Sequence, residues 1–257
     1  MTITSPDVRP TTTPTAAPAI VVDGASKRYG TGAVALDDLN LTVGTGELLA
    51  LVGASGCGKS TLLNLIAGLD QPTAGRVSVP GGRTTLLFQE AALLPWLTAA
   101  GNVELALRLR GVAKAARRAR AGELLELVHL GGMGERRPHE LSGGMRQRVA
   151  LAQEPDILLM DEPFGALDAM TRDLLHDELE RIWGETGVTI LFVTHNVREA
   201  ARLGDRILLL SSRPGRVAAE FPVEVPRPRR IESPEVAAIA AEVTAHLREE
   251  VRRHATR

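Results

Sequence analysis

The sequence predicts an α/β fold in which short buried strands alternate with helices and a helical stretch is inserted midway. Three observations predict it. Short β-branched or Leu-rich runs recur along the chain, separated by Gly-containing turns. One of these runs, Leu49–Val52, leads through a Gly-rich loop into the helical-looking Leu62–Leu69. From Thr98 to Glu140 the composition shifts to Ala, Leu, Arg and Glu, with apolar residues at helical spacing. The chain has 257 residues, enough for one large α/β unit or two small ones.

Taken in order, residues 1–18 are rich in Thr, Pro and Ala and carry almost no large apolar side chains. Such a segment cannot repay its ordering entropy, so a disordered tail is expected. Strand-like runs then follow at Ala19–Val22, Ala35–Val43, Glu47–Val52, Arg76–Val79 and Thr84–Phe88. Helical spacing takes over at Val103, Ala106 and Leu107 and again from Lys114 to Leu130. Strand patterns return at Asp156–Met160, Val188–Val193 and Arg206–Leu210. From Pro234 onward Val236, Ile239, Val243, Leu247 and Val251 form one stripe of a helix, expected to pack on the body.

Charge and cysteine usage narrow the functional classes. The formal net charge is −1, which gives no electrostatic reason to expect nucleic acid as a partner. Cys57 is the single cysteine, so an intrachain disulfide is impossible and a reducing compartment is expected. No stretch approaches the roughly 20 apolar residues that span a bilayer, and no signal-peptide pattern opens the chain. A membrane role would have to come from a partner.

The chemistry is concentrated in a few motifs. Gly53-Ala54-Ser55-Gly56-Cys57-Gly58-Lys59-Ser60-Thr61 follows an apolar strand and precedes a helix, which is the context a phosphate-binding loop requires. Glycines let successive backbone N–H groups converge on phosphate oxygens, and the helix N-terminus adds its positive end. Lysine occurs only at Lys27, Lys59 and Lys114, so its place in the loop is conspicuous. Lys59 is expected to reach the β- and γ-phosphates and the Ser60 hydroxyl to hold Mg²⁺. Further on, Asp156–Met160 is an apolar strand that ends in Asp161 and Glu162. Adjacent strand side chains point to opposite faces, which predicts different roles for the two carboxylates. Asp161 is assigned to the Mg²⁺ shell and Glu162 to the attacking water.

Leu141-Ser142-Gly143-Gly144-Met145-Arg146-Gln147-Arg148, placed shortly before that acidic strand, resembles the signature sequence of ABC transporter ATPases. The resemblance extends over essentially all of residues 19–230. It implies a P-loop NTPase core of ABC-ATPase type with an antiparallel β subdomain, an inserted α-helical subdomain at about 96–148, and a C-terminal helix in 231–257. It also implies roles for individual residues. Tyr29, the single tyrosine, stands where the family stacks an aromatic ring on adenine. Gln89 matches a glutamine that touches Mg²⁺ and water and senses the membrane partner. Asp168 matches the D-loop aspartate, and His195 the switch histidine that contacts the γ-phosphate. Ser142, Gly143 and Gly144 would face nucleotide held by a second copy of the chain, so the resemblance implies a homodimer with two composite sites.

Leu93-Leu94-Pro95-Trp96, the stretch Pro163–Arg172 and Pro226-Arg227-Pro228-Arg229-Arg230 resemble the nitrate, sulfonate and taurine importer group of this family. That kinship implies an ATP- and Mg²⁺-dependent subunit on the cytoplasmic face of a bacterial membrane. Integral permease subunits are its direct partners and a solute-binding protein its indirect one. Aliphatic sulfonate is the first expectation for the solute, with taurine and nitrate next. The basic stretch 226–230 reads equally as a stiff linker. Between the signature and the acidic strand about four residues are missing relative to the family pattern. A loss of four shortens a helix by about 6 Å and rotates the chain beyond it by roughly 40°. The alternatives are accordingly a subunit that binds ATP but hydrolyses it poorly, or an ABC ATPase that serves no transporter.

Overall fold

A computed structural model describes residues 17–30, 32–87, 93–165 and 167–255. The Gln89 assignment and nearly all of the expected N-terminal tail lie outside them. The chain divides into two compact units, one comprising residues up to 81 together with 194–257, the other residues 82–193.

The first unit contains β1 (Pro18–Tyr29), β2 (Ala33–Gly44), β3 (Leu48–Gly53), α1 (Lys59–Ile66) and β4 (Ala74–Ser78). Strands β2, β1 and β4 form an antiparallel sheet in that order. Strand β1 runs seven residues past the expected Val22. Its later part, Ala25 to Tyr29, pairs with Leu39 to Ala33 through several register shifts. Ladder hydrogen bonds with β2 hold this part extended, although Asp23 and Gly24 are poor strand formers.

The same unit takes up the chain again with α6 (Val197–Leu203), β8 (Arg206–Leu210) and β9 (Val217–Pro222), and ends with α7 (Pro234–Ala255). Parallel pairing sets β3 beside β8, with Leu49 opposite Arg206 and Gly53 opposite Leu210. All six residues of β3 are buried, which is why its sequence is apolar throughout rather than alternating. Strand β9 pairs antiparallel with β8. Of the expected stripe on α7, Val236 and Val243 are buried and Ile239 and Leu247 half-buried, but Val251 is 45% exposed and the helix outruns its docking surface.

One ionic cluster fastens this unit. Arg206, at the start of β8, donates from Nε to Glu47 at 2.8 Å and from Nη1 to Glu220 on β9 at 2.7 Å. Its Nη2 donates to the Thr42 carbonyl of β2 at 2.6 Å. All three side chains are largely shielded from solvent. A buried cation with three acceptors is hard to replace, because its removal strands two carboxylates.

The second unit contains β5 (Thr84–Leu87), α2 (Ala99–Leu109), α3 (Lys114–Leu127), α4 (Gly143–Leu151), β6 (Ile157–Asp161), α5 (Ala169–Thr186) and β7 (Thr189–Val193). Strands β5, β6 and β7 are parallel neighbours. Helix α2 starts at Thr98, whose side chain accepts from Gly101 N, and packs on α3 and α4. Asn102 of α2, nearly fully buried, holds the Leu94 backbone from both sides. Among the described residues no helix is long and apolar enough to cross a membrane.

Replacing Arg206 by Met is expected to destabilise the protein by about 3 kcal/mol, the cost of leaving buried carboxylates uncompensated. Urea denaturation would register this as a lower midpoint with an unchanged slope.

Candidate functional site

The phosphate-binding loop is shaped by what lies beneath it. Strand β3 ends at Gly53, and α1 starts at Lys59 with Gly58 as its N-cap at φ 106°. That φ belongs to the region where a Cβ is penalised. A Cβ on Gly58 would also lie 2.7 Å from a Leu36 methyl and 2.8 Å from the Ala35 carbonyl of β2. At Gly53 a Cβ would meet Cys57 Sγ at 2.8 Å. The loop can therefore close against β2 only with glycine at 58, while a Cβ at 53 would also crowd the Leu210 carbonyl of β8 at 3.1 Å.

Lys59 is buried, and its ammonium donates to the carbonyls of Gly53 at 2.9 Å and Ala54 at 3.1 Å. The cation thus stands inside the curve of the loop. Ser55, Gly56 and Ser60 are exposed, Thr61 is half-buried and Cys57 is buried. Burial pushes the Cys57 thiol above its ordinary range, more than the neighbouring Lys59 ammonium lowers it.

Two residues that the sequence did not single out hold this loop from outside. Arg213 donates from Nε to the Gly56 carbonyl at 3.3 Å. Gly215 donates to the Ala35 carbonyl at 2.9 Å and accepts from Asp37 N at 3.1 Å, and a Cβ there would strike the Cys57 carbonyl. Arg216 pairs with Asp37 next door. A Ser-Arg-Pro-Gly turn is legible as a turn, but nothing in it announces a partner 157 residues away in sequence.

Tyr29 ends β1 and is 44% exposed. Its hydroxyl donates to Asp70 at 3.2 Å, and the Lys27 ammonium lies 5.1 Å from the ring centroid. Lys27 also pairs with Asp70 at 2.5 Å, and that hydrogen bond holds the carboxyl below its usual range. A flat aromatic surface is fixed at the rim of the unit. His195 is exposed and sits between two anchored neighbours. Thr194 N donates to Leu51 O of β3 at 3.2 Å, so the histidine leaves from beside the strand that feeds the loop.

The second unit carries the acidic and signature residues. Strand β6 includes Asp161, and Glu162 comes next at φ 48°, in the left-handed region. The expected alternation of two strand side chains is corrected here: Glu162 is not extended, and the turn of its backbone is what separates the carboxylates. A non-Gly residue at that φ is strained, and such strain is characteristic of functional positions. Glu162 N donates to Val193 O of β7 at 3.0 Å, and Gly165 N to Glu162 O at 3.1 Å.

Ser142 is the N-cap of α4, its hydroxyl accepting from Met145 N at 3.2 Å. Gly143 opens the helix and Gly144 is buried against Leu175. Gln147, also buried, donates to the Pro163 carbonyl and ties the signature helix to the exit of the acidic strand. Helix α4 stops at Leu151, and Glu154 turns the chain at φ 49° toward β6. The short connection is thus closed by one left-handed residue whose carboxylate pairs with Arg120. Asp168 caps α5, accepting from Thr171 N at 3.0 Å and from its hydroxyl at 2.6 Å. The Thr171 hydroxyl holds the Asp168 carboxyl below its usual range.

The donor set suits ATP with Mg²⁺. Ser60 and Asp161 offer hard oxygen ligands of the kind Mg²⁺ takes, and the loop offers amides and an ammonium to phosphate. Lys59, Ser60, Tyr29 and His195 belong to the first unit; Asp161, Glu162, Ser142 to Gly144 and Asp168 belong to the second.

Comparison with known proteins agrees with this chemistry. A family model described as ABC transporter matches residues 36–165. The taurine import ATP-binding protein TauB of Burkholderia pseudomallei (strain 1710b) is 48% identical over 204 residues, 75% of this chain and 78% of that protein. TauB of Sinorhizobium fredii is 49% identical over 209 residues, covering 77% and 78%. Among solved structures, a dimeric post-hydrolysis state of the ATP-binding cassette MJ0796 bound to ADP and Pi matches with a TM-score of 0.68 and 34% identity. It covers 80% of this chain and 99% of that one.

Because the Cys57 thiol is buried and its pKa raised, little thiolate forms at neutral pH. Reaction with a disulfide reagent at about pH 8 is expected to be many-fold slower for the folded chain than for the denatured one. The folded rate should still be climbing near pH 9, the ordinary thiol value.

Proposed function

The chain belongs to the ABC transporter family, and from that premise we propose that it is the ATP-hydrolysing subunit of an importer for a small oxyanion or organosulfur solute. What carries this reading is the loop 53–61, where the buried Lys59 ammonium stands inside a curve that glycine at 58 permits. ATP binding and hydrolysis are activities of the family. The taurine importers among its relatives favour taurine, itself an aliphatic sulfonate, over nitrate as the solute.

In the proposed mechanism the loop amides and Lys59 neutralise the phosphates, and Tyr29 stacks on adenine. Mg²⁺, held by Ser60 and Asp161 with Gln89, would spread the charge that develops on the transferred phosphoryl group. Glu162 orients and deprotonates the attacking water, and His195 fixes the γ-phosphate. Ser142, Gly143 and Gly144 present a helix N-terminus, a natural anion site, to nucleotide on a second copy. Asp168 is proposed to act at the same nucleotide site. The likeness to a dimeric cassette supports a homodimer. Permease subunits would hold that dimer at the cytoplasmic membrane face and pass on the signal of a solute-binding protein. We take residues 19–230 as the ATPase domain, with about 96–148 as its helical subdomain and the C-terminal helix in 231–257 as an appendage.

Poor hydrolysis from the shortened connection is not favoured, because Gln147 still ties the signature helix to the segment that follows the acidic strand. Steady-state phosphate release by the purified chain tests the proposal. Lys59→Ala should abolish turnover and weaken ATP binding. Glu162→Gln should keep ATP binding and lower turnover by about 10²–10⁴-fold, the usual worth of a positioned general base. Wild-type rates in both variants would refute the proposed chemistry.

A further inference from the structure

The basic stretch Pro226-Arg227-Pro228-Arg229-Arg230 has no place in the phosphate chemistry, yet two of its arginines are built into the unit that carries His195. Arg229 is only 5% exposed. It donates from Nε to Val225 O at 2.7 Å and from Nη2 to Val223 O at 2.9 Å. Its Nη1 donates to Gly204 O at 2.5 Å and Arg202 O at 3.3 Å. Arg227 donates to Leu203 O and pairs with Asp205 at 2.8 Å. Arg202 and Leu203 end α6 and Gly204 is its C-cap. The last carbonyls of a helix lack intrahelical donors and attract positive charge. Here that charge arrives from a segment 25 residues further along.

The opposite end of α6 fixes the backbone around His195. Asn196 is the N-cap, its side chain accepting from Arg198 N at 3.0 Å and Glu199 N at 3.4 Å. Glu199, buried within α6, accepts from the Thr194 hydroxyl at 2.7 Å. That hydroxyl in turn accepts from Asn196 N at 3.0 Å. Both neighbours of His195 are therefore fastened to α6. A seven-residue helix is about 10 Å long and has little stability of its own. It packs on β3 and α7 with Ala200, Ala201 and Leu203 fully buried, and the hydrogen bonds at its two ends fix its setting on that surface.

We propose that Arg229, assisted by Arg227, is a positioning residue for His195, acting through α6 without touching nucleotide. The inference rests on the role given to His195 above. Lysine cannot substitute, because one ammonium cannot fork to four carbonyls spread around a planar guanidinium.

The test uses the full chain with Arg229→Lys, Arg227→Lys and His195→Gln, and reads kcat, ATP affinity, melting temperature and the ring ¹H–¹³C signals of labelled histidines. The His195 signal is identified by its loss in His195→Gln. Arg229→Lys is expected to lower kcat on the order of tenfold, as small misplacements of reacting groups do. ATP affinity should stay within about twofold, since Lys59 and the loop are untouched. The His195 signal should shift while that of His176, buried in the second unit, does not. Arg227→Lys should move the same signal less, and it decides the matter if Arg229→Lys melts too low to assay.

An unmoved His195 signal in the folded variants overturns the proposal. So does a parallel loss of kcat and ATP affinity, which marks general destabilisation. If His195→Gln turns ATP over at the wild-type rate, the role of His195 fails. The signal shift still decides whether α6 couples the arginines to it.

Discussion

The constraint on which the candidate site depends is the space between the phosphate loop and β2. Gly58 stands over the Ala35 carbonyl and the Leu36 side chain with no room for a methyl group, at a φ that other residues avoid. Within that loop Lys59 is enclosed, its ammonium held by the Gly53 and Ala54 carbonyls. Much of the first unit serves to keep β2 where it is. The Gly215 turn bonds to Ala35 and Asp37, and Arg206 ties β2 to β8 and β9 through Thr42, Glu47 and Glu220. The antiparallel sheet thus supports the loop through Ala35 and Leu36 and carries Tyr29 at the end of β1.

Several residues with proposed phosphate roles also do plain structural jobs. Ser142 and Asp168 are N-caps of α4 and α5, and each accepts a backbone N–H three residues on. The two duties are compatible. A cap side chain turned to its own helix leaves other N–H groups at that helix end able to meet an anion. Glu162 differs, since its left-handed backbone has no structural need that its sequence would announce, and it sits where water activation is proposed.

The loop, the acidic strand and the signature were legible because each couples a local pattern to fixed spacing. The stripe of α7 was legible for its first half only: Val236 and Val243 are buried, whereas Val251 has the same periodicity and no surface to cover. Strand β9 was missed, since Val217–Pro222 is rich in Ala and carries a Glu; only its antiparallel partner β8 makes it a strand. Arg213 and Gly215 were invisible for a similar reason, as their partners lie far away in sequence. The stretch 226–230 read equally as linker or as something more, and Arg229 became informative only once its four carbonyls were in view.

The central claim is that two copies of this chain close on ATP, each completing the other's site with Ser142 to Gly144. Sedimentation of the Glu162→Gln protein with Mg²⁺ and ATP, then with ADP, tests it most directly. The account predicts a species of twice the chain mass with ATP that reverts to the single chain with ADP. A protein that stays single with ATP bound would contradict it.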